Sequence, residues 1–152
     1  FVLYQKSQDL AASKQWVEHT YEAINTNNEL MLGIQGMNNS VRGYLITGEK
    51  IFRDNYQRSE SQVDPLYNTL KTLTADNPER QAQLAEMRAV FDKLQTVMQR
   101  QISERSRFRR ISRSDVVTTR ELMDEIRHYS RLIAAGERVL LTQRSEFEKN
   151  QQ

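Results

Sequence analysis

The chain has 152 residues with a formal net charge of +2, five Gly, two Pro and no Cys. That length fits one domain with one hydrophobic core, and so few turn formers argue against an all-β protein. Without cysteine, disulfide frameworks and thiolate metal sites are excluded, and 38% apolar residues in a patterned chain exclude disorder.

The first predicted helix covers about residues 3–46. Its inward series is Trp16, Thr20, Ala23, Asn27, Leu30, Ile34, Met37, Val41 and Tyr44, in steps of three and four. Thr47-Gly48 supplies the stop, because glycine enters the left-handed region without steric cost. A second helix over about 49–74 points Phe52, Tyr56, Val63, Leu66, Leu70 and Leu73 inward, with Pro65 expected to kink it or loosen one turn. Asp76-Asn77-Pro78-Glu79 reads as a polar cap followed by proline at the first helical position. The third helix, about 78–109, carries Leu84, Met87, Phe91, Leu94, Met98, Ile102 and Phe108. Ser114-Asp115 is the expected cap of a fourth, about 114–150, with Val116, Met123, Ile126, Ile133, Glu137, Leu140, Arg144 and Phe147 inward.

At 1.5 Å per residue the outer helices span about 65 and 55 Å, and the inner two about 38 and 45 Å. Short connections make neighbours antiparallel, so the fold class is an all-α, up-down-up-down four-helix bundle with long first and last helices. Both long helices overhang the same end. In that register, positions on the first and last helices lie level when their numbers sum to about 160.

Three groups of residues follow. Arg42, Gly43 and Tyr44 form a distal corner, where glycine admits a neighbouring helix and Arg42 lies level with Glu121 and near Asp115. The corner serves either as a packing and capping device or as an anion contact for a ligand. His19, Thr20, Asp76, Asn77 and Glu137 converge on the floor of the bundle as a polar clamp. Histidine is the side-chain type suited to a proton-driven switch, so with His19 the clamp doubles as a candidate switch, and Arg144 is expected over the Trp16 ring. The third group is the stretch RQISERSRFRRISR, where Arg105, Arg107, Arg109, Arg110 and Arg113 are candidate anion contacts or a solvated helix end. One aromatic, Phe108, is thin for stacking on single strands, so nucleic acid is not an expected partner.

Two histidines in all do not make a stable metal site, and no nucleophile motif or phosphate loop is present. No catalytic residue, cofactor or metal is therefore expected.

WVEHTYEAI, VRGYLITGEKIFRDNY, LKTLTADNPERQ and ELMDEIRHYSRLIAAGERVLLTQR occur in that order over roughly residues 10–148. In residues and spacing the chain resembles the third family of CHASE-type extracellular sensory domains of bacterial receptors. The resemblance implies a periplasmic domain, residues 1–152, excised from between two transmembrane helices. It relays a stimulus through its first and last helices to a cytoplasmic output, most often a histidine kinase. Nucleotide cyclases and chemotaxis receptors are the other outputs, and a soluble helical scaffold binding partner helices is the alternative from another class. The implied partners are a second copy in a parallel homodimer, and an unidentified ligand or periplasmic protein.

Overall fold

The computed structural model describes residues 2–151 as four helices: α1 (Val2–Thr47), α2 (Lys50–Leu73), α3 (Pro78–Phe108) and α4 (Arg113–Gln151). No strand occurs among the described residues. Phe1 and Gln152, the outer ends of the expected overhangs, lie outside them. None of the helices is long and apolar enough to cross a membrane.

Each connection has a local cause. Gly48 closes α1 with φ +70°, its N–H donating to Tyr44 O at 2.7 Å. The Asn77 side chain accepts from Arg80 N at 3.0 Å, and Pro78 follows it as the first helical residue. Arg109 ends α3 in the left-handed region at φ 52°, where its N–H and that of Arg110 close onto Arg105 O and Glu104 O. At α4 the cap differs from the expected Ser114-Asp115. Ser112 Oγ accepts from Asp115 N at 3.2 Å, which leaves the Asp115 carboxylate free to face Arg100.

The core is the expected seam. Ala23, Leu30, Ile34, Met37 and Val41 of α1 meet Leu84, Met87, Leu94 and Met98 of α3 and Met123, Ile126 and Ile133 of α4, all nearly inaccessible. Burying each large side chain favours folding by about 1.5–3 kcal/mol. α1 packs tightly along α2 and α4, and α3 along α4, while α2 and α3 stand further apart. Long side chains cross that wider gap. Tyr67 donates to Leu84 O at 3.1 Å, and the Arg88 guanidinium lies 5.4 Å from the centroids of both Tyr67 and Phe91. Glu60 Oε2 accepts from Tyr56, Gln95 and Gln99. Burial pushes the Tyr56 phenol pKa well up, and the bond to Glu60 adds to it.

Four of the hydrophobic seam positions are exposed. Trp16, Phe108, Val116 and Phe147 are between 42% and 72% exposed, because each lies where its helix runs past, or barely enters, the four-helix section. Pro65 does not break α2; Thr69 Oγ1 donates to Pro65 O at 2.9 Å within a continuous helix.

Candidate functional site

At the floor of the bundle a single arginine joins three elements. Arg144 Nη1 of α4 donates to Thr20 Oγ1 of α1 at 2.6 Å and to Trp16 O at 3.4 Å. Its other terminal nitrogen lies 3.9 Å from Asp76 Oδ2 in the α2–α3 turn. The expected cation–π contact with Trp16 is replaced by these polar ones, and the Trp16 ring instead packs on Phe147 with centroids 6.2 Å apart. His19 and Asp76 line the same open cavity of about 280 Å³. The Asp76-Asn77 turn therefore sits at the level of Thr20, with Arg144 as the bridge. Asn27 with Ser130 follows the same α1–α4 register: Asn27 Nδ2 donates to Ser130 O at 3.0 Å, while its buried Oδ1 has no partner among the described residues.

Glu137 does not join His19. It faces α3, where Arg80 Nε donates to Glu137 Oε2 at 2.9 Å and Arg80 Nη1 donates to Gln83 Oε1 at 2.6 Å. Both members of the ion pair are almost fully buried, and His19 is exposed. Gly136 makes the room, since a Cβ there would overlap the Arg80 guanidinium. Arg80 is absent from the sequence reading, yet the signal exists. It stands four residues before Leu84 on the inward series of α3, and a lone glycine precedes Glu137 on α4.

At the distal corner, Gly43 lets the Phe52 ring of α2 lie against α1, because a Cβ would overlap the ring edge. Tyr44 is buried. Arg42 is exposed and has no ion pair among the described residues; it pairs with neither Glu121 nor Asp115. Asp115 is held instead by Arg100, whose Nε and Nη2 donate to its two oxygens at 3.0 and 2.8 Å. This fork keeps the Asp115 carboxyl below its ordinary pKa against the opposing effect of burial. In the basic stretch, Arg105 is structural: its Nε donates to Leu45 O at 3.1 Å, and its guanidinium lies where a Gly48 side chain would be. Arg109 is the helix terminator, Arg107 borders a shallow α2–α3 hollow with Glu60, and Arg110 lies close enough to lower Asp115 further. Arg113 opens α4 and is exposed.

Among the described residues, no three His, Cys, Asp or Glu side chains are gathered as a metal set.

The model of the CHASE3 domain family matches residues 13–146. The chain belongs to the CHASE3 family. This CHASE3 domain is thus a sensory domain of a receptor rather than a helical scaffold. Its fold is also similar to the crystal structure of the Rhodopseudomonas palustris histidine kinase HK9 sensor domain, with a TM-score of 0.69 and 24% identity. That likeness covers 81% of this chain and 98% of the other. No curated protein sequence matches the domain. All the contacts of the Arg144 bridge and the Arg80–Glu137 pair lie inside the stretch matched by the CHASE3 model.

Proposed function

We propose that this CHASE3 domain is the periplasmic input module of a sensor histidine kinase, residues 1–152 standing between two membrane-spanning segments that continue α1 and α4. The observation that carries the reading is the Arg144 bridge, where both long helices and the α2–α3 turn meet at one side chain. Helices packed in this way have discrete arrangements, so a slide or tilt of α4 against α1 exchanges one set of polar contacts for another. The kinase output is supported by the similar sensor domain of the Rhodopseudomonas palustris histidine kinase. The clamp then consists of Thr20, Asp76 and Arg144, with Asn77 holding the turn and Arg80–Glu137 holding α3 to α4. His19 borders it across the same cavity as Asp76.

A parallel homodimer through α1 accompanies this reading. Leu3, Tyr21, Leu32 and Ile46 are each more than half exposed and are separated by about five, three and four helical turns, which places them on one outward stripe. A second copy of α1 would cover that stripe.

The test is Arg144→Ala in the full-length receptor, read as basal autophosphorylation in membranes. It is expected to shift basal output at least several-fold while the melting temperature of the isolated domain changes little. Leu94→Ala is the control, a core cavity costing on the order of 2–5 kcal/mol without a specific output bias. Wild-type basal output in Arg144→Ala would remove the bridge from the mechanism.

A further inference from the structure

Between the distal halves of α1 and α4 lies a cleft of about 350 Å³. Its walls are apolar, from Val116, Val117 and Met123 among others, and three arginines border it, Arg42 from α1 and Arg120 and Arg127 from α4. No acidic residue lines it. Arg127 is shared with Asp124 at 3.0 Å, whereas Arg42 and Arg120 have no ion pair or hydrogen bond among the described residues. The polar groups at the inner end satisfy each other, Thr119 Oγ1 donating to Gln101 Oε1 at 3.2 Å. Val116 and Val117, 45% and 39% exposed, therefore present bare aliphatic surface directly beside two uncommitted guanidinium groups.

We propose that this cleft binds a small carboxylate with an aliphatic body, its head held by Arg42 and Arg120 and its chain laid on the valines and Met123. Guanidinium forks match a carboxylate in two-pronged geometry, and a cleft of this size lies in the range of small-molecule sites. A cation would face three positive charges, and a fully polar anion would leave the aliphatic wall unused. The site spans the two helices that the sensory reading makes the signal carriers. The proposal rests on that reading for its role and names the ligand class. An acid wedged there would bias how α4 sits on α1.

The experiment uses the 152-residue domain with carbon-13 methyl-labelled methionines, because Met123 borders the cleft and the other four do not. Octanoate is the probe, with 1-octanol and octyltrimethylammonium as neutral and cationic counterparts of the same chain. The expected result is a saturable shift of the Met123 methyl by about 1 mM octanoate. Hexanoate should bind on the order of tenfold more weakly, since each methylene lost removes buried apolar surface. Replacing both arginines (Arg42→Ala with Arg120→Ala), which breaks no hydrogen bond or ion pair among the described residues, should weaken octanoate about tenfold or more and leave 1-octanol unchanged. The proposal is overturned if Met123 does not move, if the cation shifts it as octanoate does, or if the double variant binds octanoate like the parent. In each of those cases a changed basal output of Arg144→Ala in the full receptor would still uphold the sensory reading, so the two failures are distinguishable.

Discussion

Arg80 Nε lies 2.9 Å from Glu137 Oε2 across the α3–α4 seam, with each side chain only 3% exposed. Removing one partner strands the other charge in the core. Glu137→Ala should therefore destabilise the domain on the order of 3–5 kcal/mol in urea unfolding. The joint replacement Arg80→Met with Glu137→Leu should recover most of that loss, because a well-packed apolar pair needs no desolvation of charge. If basal output in the full receptor is altered in this stable double variant, the pair takes part in signalling. Wild-type output there would make it purely structural.

Gly136 occupies the place beside the Arg80 guanidinium, so Gly136→Ala pits helix propensity against overlap. Alanine gains about 1 kcal/mol in an unstrained helix, and overpacking costs about 1–3 kcal/mol. The single substitution should lower stability. In the Arg80→Met, Glu137→Leu background it should instead raise it, and a double-mutant cycle reads the difference as a coupling energy.

Gly43 lies against the Phe52 ring in the same manner. Gly43→Ala is expected to destabilise by about 1–3 kcal/mol, and Phe52→Leu should relieve part of it. Equal losses in both backgrounds would show that the ring is not what requires glycine at the corner.

Asp115 carries a folded-state pKa below the unfolded value of about 3.9, first because of its hydrogen bonds from Arg100. Its contribution is thus complete above about pH 4 and is lost as the pH falls through the folded value. Arg100 is half exposed, so solvent screens the pair and the contribution is modest. Comparing urea midpoints of the parent and Asp115→Asn from pH 6 to pH 3, the gap should be widest at pH 6 and close towards acid. A gap independent of pH would assign the effect of the substitution to something other than the ion pair.

Arg109 holds φ 52° without being glycine, whereas Gly48 holds φ 70°. Arg109→Gly should stabilise by about 1 kcal/mol by relieving the left-handed backbone, and Gly48→Ala should destabilise. Thermal melts of the two variants are expected to move in opposite directions.

The helical course of the chain is written locally. The three-four series from Thr20 to Tyr44 and from Leu84 to Met98, the Asn77-Pro78 start and the Gly48 stop each depend on neighbours within one or two turns, and helix length then dictates antiparallel order. The level at which Thr20 meets the Asp76 turn follows from that order as well. Which charge answers which was decided by the tertiary structure. Glu137 lay on the seam in the sequence, but α3 supplies Arg80 where His19 was expected, and Asp115 goes to Arg100 instead of Arg42. Side chains of arginine are long and their partners sit on other helices, so a rotation of a few tens of degrees about a helix axis exchanges one acid for another with little change in the apolar seam. Periodicity reports the face of a helix and not that final rotation. The cleft beside Arg42 and Arg120 exists for the same reason, as a gap left between two seams whose apolar positions were each legible alone.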